Sequence, residues 1–174
     1  MMLVVLAAGA HAIAPSVVGA QSCDQSQSGS CTVNVTLRAP IPFVAQISAS
    51  SSTSDIGLLT ASDLVPGQSS GTKTFSGPVV TAQANFAWSL TIRAANATWT
   101  YSGAGAPAKP ASDLAWRVGT SGAFDTMTTS GATLMSGGLG ESLSVSVNFR
   151  TTWRWTTEPP GAYELPLTLT MAAP

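Results

Sequence analysis

The sequence predicts an all-β fold, a sandwich of about seven to nine antiparallel strands, and three observations point to it. After residue 20, no apolar run has the periodicity of a helix. Apolar and polar residues instead alternate with a period of two, which is typical of strands that bury one face. Clusters of glycine, proline and serine interrupt these stretches at short intervals. A barrel is the alternative arrangement of such strands.

The N-terminal residues have the pattern of an export signal. Residues 3–20 are small and apolar, and they end in Val-Gly-Ala, as expected of a signal peptide that is cut after Ala20. No lysine or arginine precedes the run, and a retained membrane anchor is the alternative. Pro15 and the alanine-rich composition argue against an anchor, because about 20 strongly apolar residues are needed to span a bilayer. We therefore expect residues 1–20 to be removed and no membrane insertion afterwards.

The two cysteines of the chain lie in a polar segment just after the predicted cleavage site. An even pair such as Cys23 and Cys31 in an exported protein predicts a disulfide. A zinc site is disfavoured, because cleavage removes His11, the single histidine, and two thiolates do not complete a tetrahedral shell. We expect residues 21–31 to form a polar arm with a disulfide, residues 32–174 to form the sandwich, and no metal or other cofactor.

Five stretches in the first part of the chain alternate or are short and apolar. They are Thr32–Leu37, Phe43–Ile47, Ile56–Leu59, Thr72–Val80 and Asn85–Ala94. The last is the clearest, because Phe86, Trp88, Leu90 and Ile92 share one parity while polar and small residues take the other. Trp88 is therefore expected in the core.

The second part of the chain has four further strand candidates. They are the piece from Trp99 to Tyr101, Leu114–Val118, Leu143–Trp155 and Tyr163–Met171. Residues 119–141 are rich in glycine, serine and threonine and carry no predicted strand. The last two candidates flank a Glu-Pro-Pro-Gly turn and are expected to pair as a hairpin. Pro166 lacks an N–H donor, which predicts an edge position for the final strand.

The leader, the Val-x-Val-x-Leu pattern of residues 33–37 and the C-terminal segment PPGAYELPLTLTMAAP of residues 159–174 occur together. This combination resembles bacterial surface domains of the immunoglobulin-like, pilin and adhesin kind, in which a Pro-Gly-x-Tyr turn precedes the final strand. The resemblance implies an immunoglobulin-like antiparallel β-sandwich that is secreted or exposed at the cell surface. It also implies a role in surface architecture, adhesion or fibre assembly.

Charge and motif content argue against several functions. Seven basic residues against eight acidic ones leave no basic excess to neutralise phosphates, so we expect no nucleic-acid partner. The mature chain has no histidine for a catalytic triad, and the sequence has no phosphate-binding loop or zinc-binding helix motif. We therefore expect that the protein is not an enzyme. A hydrolase that uses two carboxylates is the alternative. Its candidates are Asp24, Asp55, Asp63, Asp113, Asp125, Glu141, Glu158 and Glu164.

The aromatic residues give the sharpest binding hypothesis. The chain has five tryptophans, whose rings pack in cores but also stack on the faces of sugars. Trp116 alternates with Leu114 and Val118 and is expected in the core. The candidate platform for a glycan consists of Trp99, Tyr101, Trp153 and Trp155, with Trp99 and Tyr101 as the best exposed candidates because they border a long loop.

Two functions therefore compete. The first is a non-enzymatic structural or adhesive protein, whose partners are further copies of itself or other surface proteins, assembled through strand edges. Residues 21–37 would supply a donated strand in that assembly. The second is a carbohydrate-binding module that uses the exposed aromatic residues.

Overall fold

The computed structural model of the protein describes residues 37–60, 63 and 69–174. Every strand of the described residues lies within the compact unit Phe43–Pro174. The described part of the chain has no helix long and apolar enough to cross a membrane.

Several sequence predictions fall outside these residues. They are the signal peptide of residues 1–20, the arm of residues 21–31 with Cys23 and Cys31, and the strand Thr32–Leu37 apart from its last residue.

Ten strands form in the described residues, and buried and outward side chains alternate most clearly in β3, β5 and β8. They are β1 Ala45–Ala49, β2 Ser70–Ala84, β3 Trp88–Ala94, β4 Thr100–Gly103, β5 Leu114–Val118, β6 Asp125–Thr126, β7 Ala132–Gly137, β8 Ser142–Arg154, β9 Gly161–Glu164 and β10 Leu167–Ala172. A short 3-10 turn, Ala111–Asp113, precedes β5. All pairings between strands are antiparallel, which confirms the prediction of an all-β fold with antiparallel sheets.

The strands form three sheets. The largest has the order β1-β2-β8-β5-β6, a second has the order β10-β3-β7, and β4 pairs with β9 alone. The longest ladder joins β2 to β8, and its register shifts between Ser76 and Val79. Gly77 and Pro78 lie in that shift. Proline cannot donate a hydrogen bond to the ladder. Glycine fits beside the ring of Phe149, which a Cβ at position 77 would overlap.

One hydrophobic core receives side chains from both larger sheets. The largest sheet contributes Val80, Ala82, Ala84, Leu114, Trp116, Val147 and Phe149, and the three-stranded sheet contributes Trp88, Leu90, Ile92, Ala94, Leu134 and Met135. Alternate residues of β3 are buried, as the parity of its apolar positions predicts. The predictions that Trp88 and Trp116 lie in the core are confirmed.

The strands expected at Thr72–Val80 and Asn85–Ala94 are β2 and β3, with other bounds, and two further expectations in the first half differ as follows. The strand expected at Phe43–Ile47 is β1, two residues further along, because Asn85 caps its start by accepting a hydrogen bond from the Val44 N–H. Ile56–Leu59 forms no strand, and Leu58 is exposed. Gly57 interrupts the three apolar residues with a φ of 73°, which is incompatible with extended strand backbone.

The C-terminal hairpin prediction is wrong. β8 pairs with β2 and β5, whereas the expected final strand divides into β9, which pairs with β4, and β10, which pairs with β3. The division falls at Leu165 and Pro166, where the missing N–H interrupts a ladder. β10 is nevertheless an edge strand, as Pro166 predicts. Residues 119–141, without a predicted strand, contain β6 and β7, so the strand total exceeds the expectation.

We predict that Gly137→Ala destabilises the fold. Gly137 lies opposite Trp88, and an added Cβ would lie 2.5 Å from Cζ2 of its buried indole. Overpacking of this kind costs about 1–3 kcal/mol of unfolding free energy, measured by chemical denaturation.

The matched control is Gly138→Ala, whose added Cβ meets nothing closer than Oε2 of Glu141 at 3.6 Å. We expect Gly138→Ala to be close to neutral. Equal losses at the two positions would contradict the packing described here.

Candidate functional site

The four aromatic residues singled out by the sequence have different environments. Trp99 and Trp153 are buried, with 7% and 8% of their surface exposed. Tyr101 is half-buried, and Trp155 is 47% exposed just beyond the end of β8. The structure therefore brings Trp99, Tyr101 and Trp153 into one aromatic group and leaves Trp155 outside it.

Tyr163 of β9, which is not among the residues predicted to form the platform, completes this group. Its ring centroid lies 4.8 Å from that of Tyr101 and 5.2 Å from that of Trp153. Trp153 in turn lies 5.9 Å from Trp99. Burial, together with the charges of Tyr101 and Glu158, raises the pKa of the Tyr163 hydroxyl, which donates to the carbonyl oxygen of Pro159.

Trp99 is buried because the loop after β4 folds back over it. The Trp99 N–H donates to the carbonyl oxygen of Lys109 at 2.8 Å, and the Ala111 N–H donates to that of Ala97 at 2.8 Å. The expectation that Trp99 is well exposed is wrong for this reason. The position of Trp99 next to a long loop in the sequence does not show whether that loop folds over the tryptophan.

Lys109 is the most unusual residue of this region, because it is a cation with only 1% of its surface exposed. Its Nζ donates to Oε1 of Glu158 at 3.0 Å, to Oδ2 of Asp113 at 3.4 Å and to the carbonyl oxygen of Thr152. An ammonium group has three N–H donors, so all of them find an acceptor. The Nζ also lies 4.1 Å from the centroid of the Trp153 ring, a cation–π contact.

Arg154 completes the set. Its two terminal nitrogens bind both oxygens of Asp113, with Nη2 2.9 Å from Oδ1, and its backbone N–H donates to Oε2 of Glu158 at 3.0 Å. We call Lys109, Asp113, Arg154 and Glu158 the charge cluster. Its two cations and two carboxylates balance. Burial alone would raise the pKa of Asp113, but the hydrogen bonds and charges of Arg154 and Lys109 outweigh it and lower that pKa.

The arrangement is built to hold chain segments together. Lys109 comes from the loop after β4, Asp113 from the 3-10 turn, and Glu158 from the turn after β8, so the cluster joins three segments at one end of the structure. Its carboxylates are occupied by cations, and the described residues contain no group of three metal-ligating side chains. In the sequence, Asp113 and Glu158 are two of eight candidate carboxylates, and residues 45 apart give no local signal of contact.

These contacts reduce the number of predicted glycan-binding residues whose rings a sugar could reach. The Lys109 Nζ occupies a face of the Trp153 ring, and Trp99 is covered. Of the four candidates, Trp155 presents the most surface to solvent. Sugar binding by these residues stays a prediction.

A second candidate region is the free edge of β1, the side of this strand that no other strand of the described residues covers. The Asn85 N–H donates to the Val44 carbonyl oxygen, and the Ser50 N–H donates to that of Val79, so even-numbered residues turn their backbone groups toward β2. The intervening residues Ala45, Ile47 and Ala49 consequently turn theirs outward. All five residues of β1 are exposed, and none is charged.

Apolar side chains accompany this edge. Phe43, which precedes β1, is 82% exposed, and Leu139, in the turn before β8, is 77% exposed. Between them, a recess of about 290 Å³ is lined by Val44, Gln46, Gln83, Ala84, Asn85 and Gly140. The edge therefore combines free backbone groups with apolar contact area, which is what an added strand requires.

Comparisons with known proteins do not add to this geometry. No family model, curated protein or solved structure matches the chain. The functional interpretation therefore depends on the charge cluster, the aromatic group and the free edge of β1.

We predict that Lys109→Met is strongly destabilising. It leaves Asp113 and Glu158 buried with Arg154 as their remaining cation, and removal of one partner from a buried ion pair costs about 3–5 kcal/mol of unfolding free energy. Chemical denaturation measures the loss.

Lys73→Met is the matched control. Lys73 pairs with Asp63 at 3.5 Å where both side chains are partly exposed, so its loss is expected to cost less than about 1 kcal/mol. A Lys109 variant as stable as the Lys73 variant would show that the charge cluster does not stabilise the fold.

We predict that acid removes the contribution of Asp113. Its pKa lies below the ordinary value of 3.8, so its stabilisation is complete above that pH and is lost as the pH falls through the lowered pKa. Unfolding free energies of the wild type and of Asp113→Asn should therefore differ most near neutral pH and converge in strong acid. A difference between the two proteins that stays constant down to strong acid would contradict this role of Asp113.

Proposed function

We propose that this chain is an exported, non-enzymatic structural or adhesive protein of the cell surface that associates with further copies of itself through strand edges. One observation carries the proposal: β1 ends the largest sheet as an exposed, uncharged strand whose outward backbone groups have no partner within the described residues. Export rests on the leader pattern of residues 1–20.

The composition of the edge strands supports association. Proteins that stay monomeric protect such edges with proline, or with lysine and other charged residues. β1 (AQISA), β7 (ATLMSG) and β10 (LTLTMA) carry neither charge nor proline. The few charged residues are unevenly distributed: four of them form the charge cluster, and these three edge strands have none.

We further propose that the two larger sheets form a sandwich of the immunoglobulin-like kind. Their shared core and their antiparallel pairing support this arrangement. In a sandwich, β1 and β10 are edges of different sheets, so one copy offers two surfaces to which a neighbour's strand can add.

We predict that Ser48→Lys in β1 abolishes association of the purified full chain, because a lysine on an edge strand opposes strand addition. Ser48 is exposed, and its neighbour across the ladder is Thr81. Sedimentation velocity and electron microscopy should show ordered assemblies for the wild type and single particles for the variant.

Ser144→Lys provides the control. Ser144 is exposed on the same row of residues, where its hydroxyl contacts that of Thr81 at 2.7 Å, but it belongs to β8 inside the sheet. This variant should assemble like the wild type. Single particles for the wild type at every concentration, or loss of assembly in both lysine variants, would overturn assembly through the β1 edge.

A further inference from the structure

Two arginines on neighbouring strands converge on one aromatic ring. Arg117 belongs to β5 and Arg150 to β8, and the ladder places Arg117 opposite Asn148 and Arg150 opposite Ala115, so the arginines are diagonal neighbours. Their Cζ atoms lie 4.3 Å and 4.5 Å from the ring centroid of Phe124. The ring thereby positions both guanidinium groups on the outer face of the largest sheet.

No acidic side chain of the described residues compensates these two charges. The ion pairs of that part of the chain involve Lys73, Lys109 or Arg154 as the cation. Asp125 lies opposite Trp116, whose side chain points into the core, and so belongs to the other face of the sheet. Two like charges held beside one ring repel each other, and a bound anion would relieve that repulsion.

The guanidinium groups keep donors available for such an anion. The Arg117 guanidinium uses one Nη1 contact, to the carbonyl oxygen of Gly122 at 3.1 Å, and the Arg150 guanidinium makes no hydrogen bond within the described residues. A guanidinium presents its N–H groups as a planar fork, and the Nε of Arg117 is buried, so an anion would contact the terminal nitrogens. This planar fork matches the two oxygens of a carboxylate or sulfate.

Short polar side chains surround the arginines on the same face. Cross-strand neighbours share a face, which gives the rows Ser76–Asn148–Arg117, Thr74–Arg150–Ala115 and Thr72–Thr152. Thr72, Thr74 and Ser76 are exposed. The result is a field of hydroxyl and amide groups around two cations, which suits a ligand that carries many hydroxyls together with acidic groups.

We infer that this face binds an acidic polysaccharide, with Arg117 and Arg150 binding its carboxylate or sulfate groups and the neighbouring hydroxyls contacting its sugar hydroxyls. The site lies on the face of the sheet and not on a free edge. It goes beyond the proposed function, and its test does not depend on assembly through β1.

The test measures binding of the full chain to three immobilised polymers by biolayer interferometry. Dextran sulfate and unsubstituted dextran share a backbone and differ in the acid, and polygalacturonate supplies carboxylates. We expect binding to at least one acidic polymer, which identifies the acid, and none to dextran. Arg117→Gln and Arg150→Gln should each weaken binding about tenfold, because each removes charge-assisted hydrogen bonds. Arg150→Lys should also weaken it, since lysine keeps the charge but loses the fork.

Arg93→Gln is the matched control, because Arg93 is an exposed arginine on β3 of the other sheet. It should change binding less than about twofold, the effect of one unit of net charge on an exposed surface in moderate salt. Equal weakening by Arg93→Gln and Arg150→Gln, equal binding to dextran, or no binding to either acidic polymer would overturn the inference. Polyglutamate that binds as tightly as both acidic polysaccharides would also overturn it, in favour of an acidic peptide. Thermal unfolding shows whether the variants fold.

Discussion

A buried ammonium group obliges the chain around it to supply acceptors. Transfer of the Lys109 charge out of water costs several kcal/mol, and the structure offsets this cost with two carboxylates and a carbonyl oxygen. Asp113 is four residues from Lys109, but Thr152 and Glu158 are 43 and 49 residues away in sequence. Their meeting fixes the loop after β4 and the turn after β8, and that closure covers Trp99 and Trp153.

The charge cluster also shapes what the rest of the surface can do. Only 9% of the residues are charged, so the four in the charge cluster leave few charged residues for the rest of the surface. β1, β7 and β10 are left without the charged residues that protect sheet edges. The outer face of the largest sheet keeps two arginines without an acidic partner among the described residues, which gives that face a chemistry different from that of the edges.

The sequence predicted those parts of the fold that depend on local alternation. β3, β5 and most of β8 were predicted because a strand with one buried face repeats every two residues. β7 was missed because its register shift buries Leu134 and Met135 in succession, which breaks the period of two. The C-terminal pairing was wrong because alternation identifies a strand but not its partner.

The site was harder to predict than the fold. Lys109 lies in a loop of alanine, glycine and proline, where nothing local indicates burial, and its acidic partner Glu158 is 49 residues away. The aromatic group was found only in part, because Tyr163 belongs to a strand that was expected to pair elsewhere. Such contacts depend on topology, and alternation in a single sequence does not specify topology.

The central claim is that the charge cluster makes one end of the structure as firmly closed as the core. Native-state hydrogen exchange of the full chain tests it directly at the amides of Trp99 and Ala111, which donate across the closed loop. The account predicts that these two amides exchange as slowly as the buried amides of β3. Exchange as fast as that of exposed loop amides would contradict it, because the loop would then open without unfolding of the core.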